Sequence, residues 1–184
     1  MGNRSHSKDR TPIMRQSEER FMAYSGLIQW TEGLVSQCWR VKEASESMAE
    51  AFAAGNHVSS LNRLHCEAHY YVIAANKVLE YRTWAQQHGL FKNVDFSKLD
   101  KINGQAIKDL RNMREHVVEY FQGKGRAKHR WVATTPGIAA DASSMVNSLI
   151  GGRLDYIEFT KIVEDILPML RAEPIPYPTE PDDS

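Results

Sequence analysis

Apolar positions recur three and four residues apart over most of the first two thirds of the chain, which is the period of a helix buried on one side. Over residues 16 to 54, Phe21, Tyr24, Leu27 and Ile28 form a first stripe, and Leu34, Val35, Cys38, Trp39, Ser45, Met48 and Phe52 form a second. One straight helix of that length would run about 58 Å, longer than a small domain is wide. The reading therefore places a break near Ser25-Gly26 or across residues 31 to 33, with Gly55 as the terminating cap. A second helix is expected over residues 58 to 87, where Leu61, Leu64, Ala68, Tyr71, Ala75 and Val78 make a packed seam. Cys66, Tyr70 and Ile73 lie on its other side, so this helix needs two neighbours, or one neighbour and a partner chain. Gly89 marks its end, and a third long helix is expected over residues 97 to 121, stopped by the glycines of "QGKG".

The pattern changes after Trp131. "TTPG" and "DASS" are loop chemistry, and "SMVNSLIGGRLDYIEF" reads as a β-hairpin at about 140 to 157 with Gly151-Gly152 as a two-residue turn. A last helix follows over residues 157 to 171, with Pro168 expected to kink or shorten it. Residues 1 to 15 are polar and uneven, and residues 173 to 184 carry four prolines, so both ends are expected to be disordered. The expected fold class is mainly α. It is an antiparallel bundle of four to five helices in one domain, residues 16 to 172, with a small C-terminal β-hairpin and a final helix.

Composition narrows the function classes. The 184 residues suit one domain with a real core. Lysine plus arginine and aspartate plus glutamate both number 23, so no global field recruits nucleic acid or an acidic membrane, and any such attraction must be local. The two cysteines, Cys38 and Cys66, form no CxxC pair, which points to a reduced, cytoplasmic setting without a disulfide framework. The absence of any long apolar run argues against a membrane span, and the polar start does not look like a signal peptide.

Two motif fragments fail on inspection. His65 and His69 stand four apart in "HCEAH", a metal-ligand spacing, but Glu67 is misplaced for HExxH and no PCxxC follows His65-Cys66-Glu67. Packed or hydrogen-bonded histidines are the better reading, and no metal is expected. "GKGR" at 123 to 126 lacks the upstream glycine and the Ser or Thr of a P-loop, so no cofactor is expected either. "KGRAKHR" is more open: Lys124, Arg126, Lys128 and Arg130 beside Trp131 suit RNA phosphates and a stacked base, or are a solvated loop.

The stretch "DLRNMREHVVEY", residues 109 to 120, asks for a chemical explanation. On a helical wheel Leu110, Met113 and Val117 are core, while Arg111, Asn112 and His116 share the polar half, with Arg111 and His116 about 140° apart. Arginine offers a positive fork for phosphate, histidine moves protons near neutral pH, and an amide between them orients either one. Glu115 and Glu119 read as pairing or solvation. Arg114 falls in the apolar arc, where snorkelling or a buried carboxylate would accommodate it.

"RNMREH" resembles the signature of the HEPN superfamily, in which Arg and a polar residue are followed by His after a gap of four to six; the match is Arg111, Asn112 and His116. That resemblance implies a bundle of four or five helices with the motif on a late helix. Many members are ribonucleases of toxin–antitoxin, abortive-infection and CRISPR systems. They act as homodimers, with two copies of the motif facing across a cleft. It further implies RNA as substrate, no metal, the 2′-hydroxyl as nucleophile, Arg111 on the scissile phosphate, His116 in proton transfer and Asn112 as the positioning group. An antitoxin or other protein partner is a further implication. A toxin subgroup carries Tyr two residues after the His; here Val118 stands there and the tyrosine comes at Tyr120, so control by tyrosine modification does not carry over. The alternative function is a non-catalytic dimeric module of the same kind that binds nucleotide, RNA or a protein.

Overall fold

The computed structural model describes residues 12–55, 58–124, 128–135 and 138–177, with the side chains of 12–14, 128, 135 and 138 left aside. Among the described residues the chain is mainly helical, with two small antiparallel strand regions near the C-terminal end. Two long helices, α1 (Pro12–Ala53) and α2 (Val58–Gln87), form a hairpin. Their contacts run antiparallel: Gly26 meets Tyr81, Gln37 meets Glu67, and Glu43 meets Arg63. Gly55 lies between them at φ +74°, a left-handed conformation that closes a helix without a Cβ clash.

The break expected in α1 does not occur, and the helix begins at Pro12 rather than near residue 16. Its glycine serves packing instead of interruption. A Cβ on Gly26 would stand 2.0 Å from Tyr81 Cε1, so the missing side chain is what lets the tyrosine ring sit against the α1 backbone. Thr31 stays helical by back-bonding its hydroxyl to the Leu27 carbonyl at 2.7 Å.

The expected seam of α2 is the core except at its start: Leu64, Ala68, Tyr71, Ala75 and Val78 are buried in one cluster with Leu27, Leu34, Cys38 and Val41 of α1, while Leu61 is only half-buried. Tyr71 is fully enclosed, and its hydroxyl donates to the Tyr156 carbonyl at 2.8 Å beside Thr160 Oγ1, so the core tyrosine is satisfied and ties α2 to the last helix. On the other side of α2, Cys66 and Tyr70 are exposed.

The third helix is not continuous. It is divided into α3 (Ser97–Asp100), α4 (Gly104–Glu115) and α5 (Val117–Phe121). Asn103 starts α4 by accepting the Ala106 N–H on its side chain at 3.0 Å, an N-cap that competes with helix propagation. The second break falls at His116, which leaves helical geometry (φ −110°, ψ 29°) while its N–H still closes on the Asn112 carbonyl.

Two strand pairs follow. β1 (Val132–Thr135) pairs antiparallel with β2 (Ile138–Asp141), Val132 opposite Asp141, a hairpin the pattern of residues did not announce. The single hairpin expected at 140 to 157 is a three-stranded meander: β3 (Met145–Val146), β4 (Leu149–Ile150) and β5 (Leu154–Asp155). The Gly151-Gly152 turn also includes Arg153, because Ile150 pairs with Leu154. Both glycines take positive φ, and a Cβ on Gly151 would lie 2.4 Å from Leu110 Cδ1, so this turn presses directly on the helix that carries the motif.

Asp155 caps α6 (Tyr156–Ala172) by accepting the Ile157 and Glu158 N–H groups. The helix runs on through Pro168 to Ala172, so the expected shortening does not occur; Pro168 is exposed, as is Glu164, whose carbonyl is the one that loses an N–H partner to the proline. After the helix, residues 173 to 177 lie against α1, with the Tyr24 hydroxyl donating to the Glu173 carbonyl at 2.8 Å and Tyr177 stacked on Phe21. Residues 1–11 and 178–184, the greater part of the segments expected to be disordered, lie outside the described residues. Among the described residues, no helix is long and apolar enough to cross a membrane.

Candidate functional site

α4 buries Ile107, Leu110 and Met113 and turns its polar face outward, as its amphipathic sequence requires. At its end an open cavity of about 550 Å³ forms at the break between α4 and α5. Asn112 and His116, one turn apart, line it together with Arg130, which reaches in from the single 3₁₀ turn Lys128–Arg130. Asp109, Met113, Glu119 and Tyr120 complete the wall. His116 stands at the helix break, and its side chain is exposed.

The motif trio is thus only partly brought together. Arg111 is not a wall of this cavity. Its Nη2 donates to Asn112 Oδ1 at 2.9 Å, which tethers it to the cavity's edge, while Nη1 lies 3.6 Å from Glu80 Oε1 on α2 and Nε 3.5 Å from Glu115 Oε2. Its Nε is buried without a hydrogen bond. Burial pushes the Glu80 carboxyl up, but hydrogen bonds from Lys77 and Asn76 and the charges of Lys77 and Arg111 outweigh it, so Glu80 titrates below the usual carboxylate range. Arg111 therefore sits beside two carboxylates, and Asn112 is the link between it and His116.

His116 Nδ1 stands 3.3 Å from Glu119 Oε1, an i, i+3 pair that orients the ring across the break. Arg130 pairs through Nη1 with Asp109 Oδ2 at 2.7 Å, and its carbonyl accepts from Arg153. The expectation of pairing for Glu115 and Glu119 holds in both cases.

Of the basic stretch, Arg130 joins the cavity and Lys124 is exposed, bonded to Gln122 at 3.1 Å. Arg126 and the side chain of Lys128 lie outside the described residues. Trp131 is not a vacant stacking surface. Tyr120 stacks on it at 5.3 Å between ring centres and Phe121 meets its edge at 5.5 Å, which fixes α5 to the start of β1. Asp109, whose carboxylate holds Arg130, had no distinguishing mark in the sequence; its partner is 21 residues away.

Arg114 finds neither of the accommodations expected from sequence. It donates from Nη1 to the Ala142 carbonyl at 2.9 Å and the Ser143 carbonyl at 3.3 Å, and from Nη2 to the His65 carbonyl at 2.9 Å. Asp141 presents those first two carbonyls by folding its side chain back onto Ser143 and Ser144. Burial lowers the Arg114 pKa to about 10, which leaves it charged at neutral pH. His65 and His69 share one side of α2 beside it, and both titrate below the ordinary histidine value, first through burial and then through the charge of Arg114. Among the described residues no group of three His, Cys, Asp or Glu side chains is arranged to hold a metal ion.

No family model matches the chain, and neither the curated proteins nor the solved structures contain a significant match to it.

Proposed function

We propose that this protein is an endoribonuclease of the HEPN kind that cleaves RNA without a metal, at a site composed from two copies of the chain. The observation that carries the reading is the meeting of Asn112, His116 and Arg130 in one open cavity, with Arg111 tethered to its edge through Asn112. These groups match the needs of RNA transesterification. The 2′-oxygen bonds to phosphorus, the bond from phosphorus to the 5′-oxygen breaks, one proton leaves the 2′-hydroxyl and one reaches the departing 5′-oxygen. An imidazole moves such protons near neutral pH, and two copies supply one for each end of the reaction. Guanidinium groups hold the phosphate and take up the charge that builds on it.

Both arginines are paired with carboxylates in the free protein, Arg130 with Asp109 and Arg111 with Glu80 and Glu115. A phosphate binds by displacing those carboxylates, so binding weakens steeply as salt rises. The test is cleavage of mixed RNAs in excess EDTA by the wild type and by Arg111→Ala and His116→Ala, with oligomeric state measured in parallel by sedimentation. Loss of cleavage in both variants, from a dimeric wild type, supports the reading. Cleavage that survives both substitutions removes these residues from the mechanism. A dimer that binds RNA and leaves it intact is instead a binding module.

A further inference from the structure

A second concavity, about 330 Å³, opens on the far side of the α4–α5 break from the first. α2 provides one wall with His65, His69 and Tyr70, and Cys66 is at its edge. Val117 and Ser143 close the other side, and Arg114 is the one side chain of fixed charge that lines it. The two concavities are neighbours through the backbone, since His116 lines one and Val117, the next residue, lines the other.

Their chemistry differs in a way that selects a ligand. The first contains Asp109 and Glu119 beside Arg130, a mixed-charge site suited to a phosphate and its proton transfers. Among the described residues no carboxylate lines the second, and its walls are mostly apolar. Burial, and after it the charge of Arg114, lowers the pKa of both imidazoles. A neutral imidazole carries its N–H donor and its lone pair on opposite sides of the ring, so each histidine can offer one nitrogen to a base edge, and at His69 that nitrogen is Nε2, because Nδ1 is buried. Tyr70 leaves 59% of its surface exposed, with the His69 ring tilted beside it at 6.2 Å between centres, and so has surface free for stacking. Arg114 is rigidly held by three carbonyls, so it contributes positive potential without collapsing into the space. An aromatic, hydrogen-bonding ligand with a net negative charge fits these walls.

We propose that this groove holds one unstacked nucleobase of the RNA strand whose phosphate lies at His116, with Tyr70 as the stacking platform and His65 and His69 facing the base edge. The inference rests on the RNA reading of the neighbouring cavity and adds to it a subsite for the base flanking the cleaved bond. Single-stranded RNA is bound in this manner elsewhere, by splaying a base onto an aromatic ring and pairing its exposed edge.

The groove supplies its own reporter. Cys66 is exposed at its edge and Cys38 is buried, so a maleimide labels Cys66 selectively. Adenosine 5′-monophosphate and a short 2′-O-methyl oligonucleotide, which lacks the nucleophilic hydroxyl, are the probes. Both are expected to slow labelling of Cys66. Tyr70→Ala is expected to weaken oligonucleotide binding about tenfold, with Tyr70→Phe close to wild type. Unchanged labelling with either probe, or unchanged affinity in Tyr70→Ala, overturns the subsite. A dimer that dissociates on Tyr70→Ala also overturns it, since the groove would then be a contact between copies. The two readings separate cleanly. RNA cleavage that is lost in His116→Ala but full in Tyr70→Ala keeps the nuclease and removes the subsite. Protection of Cys66 by a wild type that cleaves nothing keeps the subsite and removes the nuclease.

Discussion

The Arg114 guanidinium on α4 donates to the backbone carbonyl of His65 on α2 at 2.9 Å, between residues 49 positions apart in sequence. The same side chain reaches the carbonyls of Ala142 and Ser143, so one residue joins α2, α4 and the turn between β2 and β3. It lines the groove at Tyr70 and does not line the cavity at His116.

Replacing Arg114 removes charged hydrogen bonds and leaves partly buried carbonyls without donors. Arg114→Met is expected to destabilise the fold by about 2–3 kcal/mol. Arg114→Lys keeps the charge but not the fork and should fall between the two. Urea unfolding measures this directly; an unchanged midpoint in Arg114→Met would mean that the carbonyls are satisfied without it.

Close approach of backbone to side chain makes two glycines intolerant. In Gly26→Ala the new methyl enters the Tyr81 ring position, and a cost of about 1–3 kcal/mol is expected, a fall in Tm of roughly 2–4 °C for each kcal/mol. The double variant Gly26→Ala with Tyr81→Ala should recover part of that loss, a coupling that a double-mutant cycle reads. Gly151→Ala should cost at least as much, because φ is +59° and Leu110 Cδ1 would lie 2.4 Å from the added carbon. Wild-type stability in either single variant would contradict the packing described.

His65 and His69 give stability a dependence on pH. Their folded pKa values lie below the ordinary 6.5, so as pH falls through that value the unfolded chain takes up protons before the folded one does. Their contribution is complete above about pH 6.5, declines below it, and levels off once the folded imidazoles are also protonated. His65→Gln with His69→Gln should flatten the difference in unfolding midpoint between about pH 7.5 and about pH 5. A slope that is unchanged in that variant would assign the effect to other groups.

Within the proposed reaction the arginines are separable. His116→Ala is expected to lower kcat by roughly 10²–10⁴-fold. Arg130→Ala should raise KM and flatten the dependence of binding on salt, whereas Arg111→Lys should act mainly on kcat, since an ammonium cannot keep the Asn112 contact and grip a phosphate at once. Steady-state kinetics at two ionic strengths distinguish these outcomes, and equal effects from both arginine variants would argue against the division.

Much of the architecture was legible because helices report themselves locally. The α2 seam of Leu64, Ala68, Tyr71, Ala75 and Val78 follows the helical period and is buried in that order. The polar face of α4 was also legible, and Glu115 and Glu119, read as pairing or solvation, are both exposed and each lies beside a basic side chain. The break before α4 had a readable signal, Asn103 followed by Gly104, an N-cap choice that the long apolar period obscured. The short strands did not declare themselves: two-residue ladders such as Met145–Val146 carry too little alternation to stand above loop composition.

Sequence alone determined the amphipathic helices, the left-handed closures at Gly55 and Gly89, and the neighbourhood of Asn112 and His116, one turn apart. Those properties depend on neighbours within a turn or two of the chain, where backbone geometry dictates who meets whom. Tertiary structure decided the rest. It sent Arg111 toward Glu80, brought Arg130 to His116 in place of it, closed Trp131 off with Tyr120 and Phe121, and turned Gly26 from an expected break into a contact with Tyr81. Each of these depends on a partner ten or more residues away, and only packing selects which of several chemically suitable partners a side chain reaches.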